Sequence, residues 1–436
     1  MKKYKRLDDF YLEEDENDLI SDLLPEYYIE QNIDEDNINV EYAARFLQNE
    51  LNSLLNSFIN GGFSCKGYLL YPLVKDISMQ NITRIKRLKK IAIFLNNKGH
   101  DFSKSINEFS QKISGLNFAK ILSALYQDFS QIKNKNAKPS KKNKCKELDI
   151  SSYRKSDLDY LSPLKELKDY SNDKLKNYLS GFYLHGSLAT KDYTRGWSDV
   201  DTLSIISKKT INELDALLGL RDRMYRIRYY FYRIDPLQHH GSIAISEYDL
   251  SSYCQAYFPL PVFNYAKSFF KDDRISSFMV RDFSSEAIKK MFWFVNYFRK
   301  LNSGKKFNLG SYDTKTLLHS ITLFPTLYLQ AKGILVYKKF SFGMARKDFS
   351  KNPWKIIDDV SHLRSNWKNN SYPVPLGFFS KINPLVYYQL NSRIMDLFKN
   401  AEKINGIDTN NIIKSMYELS EEAWSRTKEN AKSKKL

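Results

Sequence analysis

The chain has 436 residues and a mass of 51.2 kDa; with 42% hydrophobic and 14% aromatic residues it is no disordered polymer and has room for two or three packed domains. A formal charge of +18 points toward polyanions, yet lysine is spread along the chain and part of the excess sits in segments 133–146 and 428–435, so charge alone is read as a solvated surface with nucleic acid as an open partner. Three distant cysteines, Cys65, Cys145 and Cys254, exclude a disulfide scaffold or zinc spacing, and the charged start and the broken apolar run Ile321–Tyr337 lead us to expect a cytoplasmic protein without a membrane partner.

Residues 1–130 are expected to form a helical N-terminal domain. In VEYAARFLQNELNSLLNSFI, Ala43, Phe46, Leu47, Leu51, Leu54 and Leu55 recur at helical spacing, and FAKILSALYQDFSQI continues that pattern. The run KNKNAKPSKKNKCK has no periodicity and contains a proline, so 131–150 reads as a basic, flexible linker. Between 151 and 275 the expected order is a strand over 181–185, a Gly-Ser turn with a short helix, a strand over 199–206, a helix over 210–221, and strands over 225–235 and 242–246. That order makes an α+β domain around a small mixed sheet. Helices return over 276–425. There Ile288, Met291, Phe292, Val295 and Phe298 share one stripe, and a helix over 314–332 is expected to kink or divide at Pro325. Residues 426–436 form a basic tail.

Chemistry concentrates in GFYLHGSLATKDYTRGWSDVDTLSII, residues 181–206. Side chains at i and i+2 of a strand share a face and lie about 6.6 Å apart, so Asp199 and Asp201 aim at one point while Val200 turns inward. Two such carboxylates can share one or two hard divalent cations, magnesium being usual where phosphates supply further oxygens and manganese an alternative. Gly186 lets backbone approach a phosphate, and Ser187 offers a hydroxyl and an amide. The acidic pairs Asp34/Asp36 and Asp157/Asp159 lack an upstream Gly-Ser and apolar flanks, and read as solvated turns.

The pattern HGS-x11-DVD resembles the signature of the DNA polymerase β-like nucleotidyltransferase superfamily. The resemblance covers roughly residues 175–250, matching at Gly186, Ser187, Asp199 and Asp201. It implies a small nucleotidyltransferase palm flanked by helical regions, two Mg2+ ions, and a third metal-binding carboxylate from a later strand. Asp235, at the end of RIRYYFYRID before Pro236, is the choice for it, with Glu247 as fallback. The implied reaction moves a nucleoside monophosphate from an NTP to a hydroxyl or phosphate on a small molecule or glycan precursor and releases pyrophosphate. An RNA 3′ end is the alternative acceptor, and a non-catalytic nucleotide-binding regulator the alternative class.

Other residues carry weaker expectations. Arg195 and Lys191 are placed near phosphate oxygens or in a solvated loop, and Ser198 beside the nucleotide or bonded to local backbone. Trp197 stacks on a base or anchors its loop. His239 and His240 point to opposite faces, so one of them is read as a proton relay or substrate contact; His185 is read as packed. Lys338, Lys339, Arg346 and Lys347 form a basic face with the option of reaching the triphosphate.

Overall fold

Helical spacing in the first third of the chain translates into four packed helices. They are α1 (Val40–Asn60), α2 (Met79–Asn97), α3 (Ser103–Phe109) and α4 (Gly115–Phe129) in the computed structural model, which describes residues 40–60, 79–111, 115–132, 134, 136–140, 145–238, 240–271, 277–304, 309–368 and 405–433. The six apolar residues singled out in α1 are all buried. Each large one contributes about 1.5–3 kcal/mol by leaving water, which holds α1 against the rest of the molecule.

Short strands build a mixed sheet behind these helices. In chain order they are β1 (Lys138–Pro139), β2 (Lys146–Glu147), β3 (Leu179–His185), β4 (Asp201–Ile206), β5 (Ile243–Ser246), β6 (Lys267–Ser268) and β7 (Met279–Val280). Five of them form one sheet in the order β2-β6-β3-β4-β5, while β1 and β7 pair separately. β3 runs antiparallel to β4 and β6, whereas β5 runs parallel to β4. One face, carrying Phe182, Leu184, Ile206 and Ala244, shares a continuous core with α1, α2 and α4. The other face, with Tyr183, Leu203, Ile205 and Ile245, packs on Phe258, Phe263 and Phe278.

The open edge of β5 is closed by two side chains from α1. Asn56 donates to the Ala244 carbonyl and accepts from its amide, both at 2.8 Å, and Asn60 donates to the Ser242 carbonyl at 3.0 Å. An edge strand would otherwise present unpaired backbone groups, so these asparagines stand in for a missing neighbour strand.

Three sequence expectations are corrected. The run over 225–235 is helical, as α8 (Leu214–Arg226) and α9 (Arg228–Ile234), not a strand. Its buried residues Ile227, Phe231 and Ile234 recur at three- and four-residue intervals, so burial on the helical core overrides the β preference of its aromatics. Within the expected linker, β1 and β2 pair with β7 and β6, partners that local composition does not reveal. Asp157 is not solvated; it is buried and held by Tyr193, Arg154 and Arg195. The pair Asp34/Asp36 lies outside the described residues.

The remaining helices in the central part are α5 (Ser162–Tyr170), α6 (Gly186–Thr190) and α7 (Lys208–Asn212). Toward the C-terminus follow α10 (Ser284–Ser303), α11 (Ser311–Ala331), α12 (Lys338–Ala345), α13 (Lys351–Ser365) and α14 (Thr409–Ser433). α11 passes through Pro325 without dividing. Their shared core takes in Trp197, Tyr232 and Leu237 from the central part, which docks α11 against the entrance to β4. No helix among the described residues is long and apolar enough to cross a membrane.

Candidate metal centre beside the Gly-Ser turn

Register brings the centre together. His185, last in β3, pairs with Asp201, first in β4, so both side chains leave the sheet on one face, and Asp199 precedes Asp201 by two residues. Because β5 is parallel to β4, the segment entering β5 lies beside the segment entering β4. His240 therefore meets the acid pair: its Nε2 is 2.9 Å from Asp199 Oδ2 and 3.3 Å from Asp201 Oδ1. One ligand atom from each of Asp199, Asp201 and His240 falls within a common 4.8 Å.

Gly186 is required by that convergence. Its φ is +70°, and a Cβ built on it would lie 2.0 Å from Asp201 Oδ2. The Asp201 carboxylate thus occupies the space that any side chain at 186 would need. Gln238 braces the acids from below: it accepts from the Val200 amide at 2.9 Å, donates to the Val200 carbonyl at 3.3 Å, and donates to the His240 carbonyl at 2.9 Å.

Electrostatics follow from burial and proximity. Burial pulls His240 toward the neutral form, but hydrogen bonds and charge from Asp199 and Asp201 outweigh it and hold its pKa well above the ordinary histidine value. His185 lies edge-on to Phe258, and burial lowers its pKa against the pull of Asp201; its Nε2 has no hydrogen-bond partner among the described residues. From α11, Lys315 and His319 face the centre one turn apart. His319 stacks on Trp197 at 4.6 Å and places Nδ1 3.8 Å from Asp199 Oδ2. Lys338 donates to Thr322 Oγ1 at 3.0 Å; burial and Arg364 lower its pKa, while Asp201 and Asp199 pull it up. Tyr337 donates to the Gly186 carbonyl at 3.0 Å, tying α12 to the Gly-Ser turn.

Neither candidate for a third carboxylate joins the pair. Asp235 caps the end of α9, fully buried, with Lys315 Nζ at 2.6 Å and the Leu237 amide at 3.0 Å. Burial pushes its carboxyl up to about 6 although Lys315 pulls it down, and Asp199 is close enough to add to the rise. Glu247 follows β5 at the opposite end of the sheet, where it accepts from the Lys208 amide at 2.7 Å. Five strand steps separate that end from Asp201, about 16 Å at 3.3 Å per residue.

Ser187 donates to Ser198 Oγ at 3.0 Å, and Ser198 accepts from the Thr194 amide at 2.9 Å, so both hydroxyls stand at the turn. Arg195 is held on Asp157 and the Ser156 carbonyl and lies over the Tyr160 ring at 5.2 Å. Trp197 is buried and anchors its loop against His319 and Trp367. Lys191 donates to the Ser152 carbonyl, Lys339 pairs with Asp192, and Arg346 with Asp358; Lys347 is exposed. His239 lies outside the described residues. Sequence reasoning did not bring out Lys315, His319 or Gln238. Only the adjacent His239 and His240 drew attention to the segment that holds Gln238; nothing in the sequence singled out Lys315 or His319.

No protein-family model, curated protein or solved structure matches the chain.

Proposed function

We propose that the chain is a metal-dependent nucleotidyltransferase, built on a small palm, that moves a nucleoside monophosphate from an NTP to a hydroxyl or phosphate acceptor with release of pyrophosphate. The observation that carries this reading is the convergence of Asp199, Asp201 and His240 beside a positive-φ Gly186 whose missing Cβ leaves room for the Asp201 carboxylate. Two carboxylate oxygens and an imidazole nitrogen fit a divalent cation, with the nitrogen favouring manganese over magnesium. These three residues would hold it, and when bound it would supply Lewis acidity and charge neutralisation at the phosphates.

The chain's own groups account for the rest. Gly186 lets the backbone approach a phosphate, and the Ser187 hydroxyl, resting on Ser198, is one rotation from donating to a phosphate oxygen. Lys338 brings a cation near the acid pair to accompany the incoming anionic charge. Gln238 holds the backbone between the two aspartates, and Lys315 neutralises Asp235 beneath them. Trp197 and Leu237 belong to the core of the C-terminal helices, so that region forms one wall.

One observation favours a second reading. The third donor is a histidine held by both carboxylates, and neither Asp235 nor Glu247 stands with them, which suits a nucleotide-binding regulator without turnover.

Incubating the protein with each labelled NTP, Mg2+ or Mn2+, and either a metabolite pool or total RNA separates the two. The first reading expects pyrophosphate release and label transfer, both abolished by Asp199→Asn and by Asp201→Asn. NTP binding without pyrophosphate supports the second. Transfer that persists in both variants sinks the site assignment.

A further inference from the structure

On the far side of α6 from the Gly-Ser turn lies an open pocket of about 600 Å³, lined by α6, α12 and the β2–β6 edge of the sheet. α6 is one turn long, so its far end is only about 6 Å from Gly186. Lys146 and Lys267 are register partners in the parallel β2–β6 pair and so leave the sheet on one face, side by side. Like charges placed so destabilise a sheet, and neither lysine's ammonium has a hydrogen bond or ion pair with the described residues. Acidic groups lining the pocket are engaged elsewhere: Glu147 pairs with Lys168 at 2.7 Å, and Asp149 accepts from the Ser151 amide and hydroxyl. Two more lysines, Lys191 and Lys339, stand on the rim with exposed side chains.

Aromatic surface completes the lining. Tyr265 is 36% exposed and Phe340 47% exposed, and the two rings lie 5.6 Å apart. Tyr265 also stacks on Tyr337 at 4.7 Å, the residue that binds the Gly186 carbonyl. Exposed rings beside unpaired cations are what a chain of bases and phosphates needs: stacking is worth about 1–3 kcal/mol per base, and lysines neutralise the backbone.

We propose that this pocket seats single-stranded nucleic acid, with phosphates on Lys146 and Lys267 and a base on Tyr265 and Phe340. The strand is then the acceptor of the transfer reaction, in place of the small molecule expected from sequence; only that last step rests on the nucleotidyltransferase reading.

The test is fluorescence anisotropy of the full chain with a labelled single-stranded oligonucleotide of about 12 residues, a length within known site sizes. EDTA is present and NTP absent, so binding is read apart from catalysis. Wild type is expected to bind, and Lys146→Gln/Lys267→Gln to bind about tenfold or more weakly, with a salt slope smaller by about 1.4. The same variant should melt no lower than wild type, because it removes a repelling pair. Tyr265→Ala and Phe340→Ala should each weaken binding about tenfold. Absence of binding, equal affinity of the lysine variant, or displacement by AMP as effective per nucleotide as by the oligonucleotide overturns the proposal. Oligonucleotide binding without pyrophosphate release upholds it and sinks the catalytic reading alone.

Discussion

Gly186→Ala puts the centre under the sharpest test. A Cβ at this position would sit 2.0 Å from Asp201 Oδ2, 2.9 Å from its Cγ and 3.1 Å from its Cβ. A carbon–oxygen contact needs about 3.3 Å, so the carboxylate must retreat by more than about 1 Å. Rotating the carboxylate alone does not relieve the Cβ contact, and the β4 backbone at Asp201 is fixed by its pairing with His185. The left-handed φ of +70° adds about 1–2 kcal/mol of strain for any residue with a side chain. A displacement of about 1 Å in a catalytic group lowers rate roughly 100-fold, about 2.7 kcal/mol at the barrier, somewhat more than that strain takes from stability. The expected outcome is thus a small drop in melting temperature beside a loss of about two orders of magnitude in pyrophosphate release, with Mn2+ affinity by calorimetry falling in parallel. Gly343→Ala is the control: its Cβ would meet nothing within 4 Å inside α12, and it should be neutral or stabilising by about 0.5–1 kcal/mol. If Gly186→Ala keeps wild-type Mn2+ affinity and turnover, the centre does not work as argued.

Two further outcomes bear on buried charge. Lys315→Met strands Asp235 in a site with no exposure and should destabilise by about 3–5 kcal/mol in denaturant melts, whereas Lys315→Met/Asp235→Leu should recover most of that loss and keep Mn2+ affinity. A double variant that folds but no longer binds metal would return Asp235 to the ligand set. Lys290, whose ammonium donates to the Ala256 carbonyl and lies over the Tyr257 ring, is pulled down by burial to about 8. Between that value and the ordinary 10.5 the folded state binds fewer protons than the unfolded one, so this group adds stability as pH rises from about 8 to 10.5 and withdraws it as pH falls. Lys290→Met should remove that slope; melts across pH 7.5–10.5 that run parallel for wild type and variant would contradict it.

Much of the architecture is legible in local pattern. The six apolar positions of α1 are buried as their spacing requires, and the apolar runs before Gly186 and after Asp199 become β3 and β4. Position 225–235 is where the reading of local preference fails. Tyr, Phe and Ile suit a strand by composition, but Ile227, Phe231 and Ile234 repeat at helical intervals and enter one core while Tyr232 enters another. With that strand went the expected path for Asp235 into the centre. Its actual partner, Lys315, is 80 residues away, a separation no local signal spans.

Spacing along the chain by itself pointed to Asp199 and Asp201 beside Gly186: Asp201 opens β4 opposite His185, the residue before Gly186, while Asp199 stands in the segment just before the strand rather than in it. Which group completes the pair was decided only by tertiary structure. Strand direction decides it: β5 runs parallel to β4, so its entrance, with His240, stands at the acid end, and its exit, with Glu247, stands at the other. Direction and neighbour order depend on long-range packing, here on α1 closing the β5 edge through Asn56 and on α11 bringing Lys315 to Asp235, and neither contact is encoded within a few residues of the site.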